Sequence, residues 1–126
     1  MDVALILWNA DVIEWVSLVL QQERLTCCGI EPSGGEPHLE QWIASRNPRL
    51  VMLDLAPPYE ESTKVFRRLL GSSPDRLFVL TCADPSLAIK AGPWVCEYLT
   101  LQKPYDPETI RLTLASMLSH LQLKCD

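Results

Sequence analysis

Three residues each close an apolar run of strand length, and together they supply the parts of one polar site. Asp54 follows Leu50-Val51-Met52-Leu53, Thr81 follows Leu77-Phe78-Val79-Leu80, and Lys103 follows Tyr98-Leu99-Thr100-Leu101-Gln102. A carboxylate is a nucleophile whose charge must be screened, an ammonium screens it, and a hydroxyl donates one more hydrogen bond. In an open parallel sheet such groups meet at the carboxyl edge of the strands, where the loops frame a crevice. The first apolar run, Val3-Ala4-Leu5-Ile6-Leu7, ends differently: Trp8-Asn9 stands there instead of a pair of acids.

Those strand ends need a scaffold, and the chain spells one out. Strand-length apolar runs alternate with segments of helical periodicity, the pattern of a parallel sheet covered on both faces. The first strand is expected over about Val3 to Trp8, followed by a helix with Val12, Trp15, Val16, Val19 and Leu20 on one side. Leu25 to Ile30 reads as the second strand. A Pro32-Ser33-Gly34-Gly35 loop follows it, then a short helix with Leu39, Trp42 and Ile43 inward. The third strand spans Leu50 to Leu55 and stops at Pro57-Pro58. A helix with Val65, Phe66, Leu69 and Leu70 follows, and Gly71 and Pro74 mark its end.

Arg76 to Thr81 is the fourth strand. Asp84 and Pro85 start a short fourth helix ending near Gly92, and Cys96 to Leu101 reads as the fifth strand. Asp106-Pro107-Glu108 opens the last helix, with Ile110, Leu114, Met117, Leu118 and Leu121 on one side. The expected fold is α/β: one doubly wound, five-stranded parallel sheet in the order 2-1-3-4-5 with five helices, a single domain over residues 1–126.

Composition narrows the function classes. The chain has 126 residues, 48% hydrophobic and 21% charged, with a net charge of −5. Arg67-Arg68 is its largest basic cluster, which argues against a nucleic-acid surface. Its apolar stretches fall short of the roughly 20 residues that span a bilayer. Asp2 and the absence of a basic leader argue against secretion, so a cytoplasmic protein with reduced thiols is expected. The five cysteines lack metal-ligand spacing, and vicinal Cys27-Cys28 on a strand would face opposite sides. Cys82, beside the candidate site, reads first as a packed thiol and second as a redox-sensitive one. Ser33-Gly34-Gly35 lacks the pattern of a phosphate-binding loop.

The order of elements, with Asp54, Thr81 and Lys103 closing strands three, four and five, resembles the receiver domain of two-component response regulators. Leu53-Asp54-Leu55-Ala56-Pro57-Pro58 is similar to its phospho-acceptor segment, including a proline four residues after the aspartate. Val79-Leu80-Thr81-Cys82-Ala83 is similar to its hydroxyl-bearing segment, and Lys103-Pro104-Tyr105-Asp106-Pro107-Glu108 to the segment around its invariant lysine. The Lys-Pro peptide is usually cis in that family; the resemblance leaves the isomer of Lys103-Pro104 open. The resemblance implies that Asp54 takes a phosphoryl group from a histidine kinase with the help of Mg²⁺. Thr81 and Lys103 would then serve the phosphoryl oxygens.

Departures from the pattern are as telling as the matches. The acid pair that would help Asp54 hold Mg²⁺ falls on Trp8-Asn9, leaving Asp54, Asn9 and Asp11 as donors for a weak or absent metal site. Asp11 also reads as a helix N-cap, and the Trp8 indole would fill the space of a hydrated ion. Thr100 stands where an aromatic is common, three residues before the lysine, Ser62 stands where the acceptor loop commonly has glycine, and the Gly92–Lys103 stretch is long. The expected protein is a degenerate receiver, or pseudo-receiver. It would not be an enzyme, and would work through a histidine kinase or other signalling partner, or as a homodimer. Its contact face would be the fourth helix, fifth strand and last helix, with Trp94 as anchor. A working phospho-receiver accepting a phosphoryl group on Asp54 is the alternative, and a small α/β enzyme or flavodoxin-like carrier a weaker one. Trp15 and Trp42 are expected in the core.

Overall fold

The computed structural model describes residues 1–32, 36–71 and 75–125; the Ser33-Gly34-Gly35 loop and Pro74 lie outside the described residues. Strands β1 (Val3–Ile6), β2 (Cys27–Ile30), β3 (Leu50–Asp54), β4 (Leu77–Cys82) and β5 (Leu99–Gln102) alternate with helices α1 (Ala10–Gln22), α2 (Glu36–Arg46), α3 (Tyr59–Gly71), α4 (Pro85–Ala91) and α5 (Pro107–Cys125). All strands are parallel, in the order β2-β1-β3-β4-β5. This is the doubly wound sheet expected from the alternation. No helix among the described residues is long and apolar enough to cross a membrane.

Period-two alternation divides the sheet into two faces. Val3, Leu5, Leu50, Met52 and Val79 pack with Val16 and Leu20 of α1 and Ile110 and Leu114 of α5. Their neighbours Ala4, Ile6, Val51, Leu53 and Leu80 pack with Leu39 of α2, Phe66 of α3 and Ala88 of α4. Both faces are buried, which is why the central strands read as unbroken apolar runs. Gly29 lets α1 lie close to β2, since a Cβ there would stand 2.3 Å from Ile13 Cγ2. At the amino edge, Asp2 accepts from the Thr26 amide at 2.9 Å and from Arg49 Nη1 at 3.4 Å, joining the approaches to three strands.

Helix starts follow side-chain capping. Asn9 Oδ1 accepts from the amides of Asp11 at 2.8 Å and Val12 at 3.4 Å, so Asn9 is the α1 cap and Asp11 sits in the first turn. Asp84 caps α4 through the Leu87 amide, and Asp106 accepts from the Thr109 amide at 2.7 Å.

The carboxyl-terminal third departs from the sequence reading. β5 begins at Leu99, not Cys96, and Pro93–Glu97 form a 3-10 helix that takes up the extra length before Lys103. Trp94 is half-buried and packs against the core, its ring edge-on to Tyr98 at 5.7 Å. A Cβ on Gly92 would lie 2.7 Å from Trp94 Nε1 and 2.9 Å from Thr63 Cβ, so this glycine permits a close approach of α3 and the indole. Trp94 is therefore a packing residue of this corner, not a free surface anchor. Trp15 and Trp42 flank the two clusters half-buried, Trp42 beneath the Arg46 guanidinium at 5.8 Å.

Trp94→Ala should lower the unfolding free energy by about 2 kcal/mol, the scale of removing a large, half-buried aromatic from a packed corner. Urea denaturation measures it; an unchanged midpoint would contradict the packing role.

Candidate functional site

The strand registers bring Asp54, Thr81 and Lys103 together. Asp54 is paired with Thr81, and Cys82 with Gln102, the residue before Lys103. Main-chain bonds from Leu55 N to Thr81 O, 2.8 Å, and from Lys103 N to Cys82 O, 2.9 Å, extend this order past the strand ends. Asp54 shares parity with Leu50 and Met52, Thr81 with Val79, and Lys103 with Leu101, all on the α1/α5 face. Three adjacent strands thus project three functional side chains to one side.

Asp54 is only 4% exposed and Thr81 fully buried. Thr81 Oγ1 donates to Asp54 Oδ1 at 3.1 Å. Lys103 Nζ lies 2.7 Å from Oδ1 and 2.8 Å from Oδ2, so one ammonium straddles both carboxylate oxygens. A buried carboxylate without such partners would carry a large desolvation cost, and charge-assisted bonds this short offset it. Lys103-Pro104 is cis, as is Pro57-Pro58. The arrangement gathers a hydroxyl and an ammonium on one carboxylate, the donor types that an anion docking there would also need.

Two neighbours feel the Asp54 charge, Cys82 from the opposite face of the sheet and Tyr105 from the same one. Burial, reinforced by the Asp54 charge, pushes the Cys82 thiol up from its ordinary range, so it is held as an unreactive thiol. Tyr105 stacks on Trp15 of α1 with ring centroids 6.0 Å apart. Its phenol is pushed up to about 12 by burial first and the Asp54 charge second, with the Thr81 hydroxyl nearby acting the other way. The sequence reading passed over Tyr105 as a site residue. The signal was its parity: two residues past Lys103, it falls on the same face.

The β1 side of the site is built differently. Trp8 follows the parity of Ala4 and Ile6, which puts it on the α2/α3 face. Its only hydrogen bond to Asp54 runs from Nε1 to the main-chain oxygen, at 3.1 Å. The indole therefore braces the acceptor loop and does not sit on the carboxylate. Asn9 is committed to capping α1, and Asp11 is exposed on the first helical turn. Among the described residues, no three His, Cys, Asp or Glu side chains converge as a metal site would need. A neutral amide already holding two N–H groups, beside an indole, does not fit the carboxylate-rich shell that Mg²⁺ favours.

No protein-family model matches the chain, and neither does any curated protein. Solved structures do. The signal receiver domain of an HD domain-containing protein from Pseudomonas fluorescens Pf-5 superposes with a TM-score of 0.76 at 21% identity, covering 94% of each chain. A response regulator from Thermotoga maritima gives 0.73 at 18% identity, over 94% of this chain and 97% of that one. A CheY-like response regulator receiver domain from Methylobacillus flagellatus gives 0.70 at 18% identity, over 92% and 98%. The fold is that of the receiver domains of two-component response regulators.

Replacing Asp54 with Asn should bring the Tyr105 titration down from about 12 toward the ordinary tyrosine range, because the charge that disfavours phenolate is gone. Ultraviolet titration, with Tyr105→Phe subtracted to isolate the residue, measures it. A midpoint unmoved by Asp54→Asn would mean the two groups are not coupled.

Proposed function

We propose that this chain is a degenerate receiver domain of a two-component system, a non-enzymatic module that acts in the cytoplasm through protein contacts. The observation that carries this reading is how the Asp54 carboxylate is held. Lys103 bridges both of its oxygens at 2.7 and 2.8 Å, while the β1 side offers an indole and a capping amide where a metal shell would need acids. The ion pair stabilises the strand ends as a fixed unit and leaves little reason for a dication to enter.

The second reading keeps Asp54 as a phosphoryl acceptor served by a histidine kinase. It is favoured by the convergence of Asp54, Thr81 and Lys103, which is the donor arrangement such chemistry uses. Acetyl phosphate with Mg²⁺ separates the two. Under the first reading intact-protein mass spectrometry finds no label at Asp54, and Trp8 fluorescence shows no saturable response to millimolar Mg²⁺. Labelling that disappears in Asp54→Asn, together with saturable Mg²⁺ binding, would establish the second.

Partner contact is assigned to the α4-β5-α5 face, with a changed set of anchors. Trp94 is committed to packing, and the large apolar groups left exposed there are Leu87 and Ile89 of α4, Leu99 of β5 and Leu112 of α5. A signalling partner or a second copy would bury them. Leu87→Glu and Leu99→Asp should each weaken self-association by about 2 kcal/mol, as expected for interface anchors, with the melting temperature unchanged. Sedimentation at graded concentrations reads this; identical behaviour of variants and parent would remove the face from consideration.

A further inference from the structure

A second concavity lies across the sheet from the Asp54 carboxylate. It occupies about 240 Å³ between the β1–α1 turn, α2, the acceptor loop and α3. Leu39 and Phe66, both core residues, reach its floor, and Pro32, Pro57, Pro58 and Val65 wall it. Trp8 stands at its mouth, 46% exposed. The bond from its indole N–H to Asp54 O fixes one edge of the ring, and no aromatic ring or cation among the described residues pairs with its faces.

The polar groups at the pocket decide the sign of what it would take. Glu61 is the charged residue in the lining; it is exposed and has no ion pair among the described residues. Glu60 precedes it, so the first turn of α3 carries two acids. Among the described residues, no Lys or Arg lines the pocket. Ser62 Oγ already accepts from the Ala56 amide at 3.4 Å, and its hydroxyl proton remains a donor. An indole face is electron-rich and attracts cations, and an unpaired carboxylate does the same. Apolar walls then favour a compact hydrocarbon body behind the positive charge.

We propose that the pocket formed by Trp8, Pro57, Pro58, Glu61 and Phe66 binds a small organic cation, an ammonium carried on a compact aromatic or aliphatic body. The dimensions suit it: a cavity of about 150 Å³ accepts benzene, so this one has room for a ring and a short ammonium tail. The ring enters between the prolines and Phe66, and the ammonium stays at the mouth between the indole and Glu61. The site uses the main-chain side of the acceptor loop and is independent of whether Asp54 is phosphorylated.

The test is a nitrogen-15 correlation titration of the full chain, without Mg²⁺ or a phosphoryl donor, at constant pH and ionic strength. Three probes share one phenyl body: phenethylammonium, neutral 2-phenylethanol and anionic 3-phenylpropionate. Phenethylammonium should saturate shifts of the Trp8 indole N–H and of the Ala56 and Ser62 amides. The alcohol should bind about threefold more weakly, in line with one exposed charge contact, and the anion should leave these signals unmoved. Glu61→Gln, a surface change that leaves the core intact, should reduce the affinity for phenethylammonium toward that for the alcohol, the indole retaining part of the preference. Equal binding of all three probes, no saturable shift with phenethylammonium, or full binding retained in Glu61→Gln would each overturn the proposal.

Discussion

One constraint governs this molecule: the carboxylate at the end of β3 is buried, and its charge has to be met by neighbours. Asp54 is 4% exposed, and water cannot solvate it well. Its compensation comes from β4 as the Thr81 hydroxyl and from β5 as the Lys103 ammonium. Neither reaches it unless strands three, four and five are adjacent, parallel and in one register. Sheet order, the pairing of Asp54 with Thr81 and the extension of main-chain bonding to Lys103 are all conditions for keeping that charge inside. Removing one partner of such a pair costs more than the pair contributes, because the remaining charge stays buried.

The same logic explains why β1 contributes so little to the carboxylate. A carboxylate already bridged by an ammonium needs no second cation, and further acids beside it would need one. Trp8 and Asn9 add no charge. Asn9 satisfies two free amides at the start of α1, and Trp8 donates to the Asp54 carbonyl. On the β1 side, then, the polar groups serve the main chain, and the charge of Asp54 is met from β4 and β5.

Much of this was legible in the amino-acid order. Buried parallel strands are short apolar runs, and their helices carry a period of 3.6, so element order and sheet topology followed from pattern alone. Asp54, Thr81 and Lys103 stood out because polar groups that close apolar runs have one common destination. Cys96 to Tyr98 misled because a 3-10 turn feeding an edge strand has no period of its own. What bends the chain there is the contact of Trp94 with Tyr98 and its fit over Gly92, and tertiary packing leaves no local signature. Trp8 is a subtler case. Its neighbourhood in sequence suggested the carboxylate, but counting parity from Ala4 and Ile6 would have put it on the opposite face.

That parity gives Asp54 two sides. Its side chain belongs to the α1/α5 face, where Thr81, Lys103 and Tyr105 meet it; its carbonyl oxygen is held from the β1 turn by the Trp8 indole, beside the α2/α3 pocket. The two sites share one residue and no side-chain partners. A change in the charge of the carboxylate alters the field at Tyr105 directly, whereas a change at Trp8 acts only through the acceptor-loop main chain. Coupling between them must therefore pass through the position of the Leu55–Pro58 backbone. That backbone is tied to β4 by the Leu55 amide and to α3 by the Ser62 hydroxyl. The strand-side tie, 2.8 Å, is shorter than the helix-side tie, 3.4 Å, and the helix side is the wall the loop shares with the pocket.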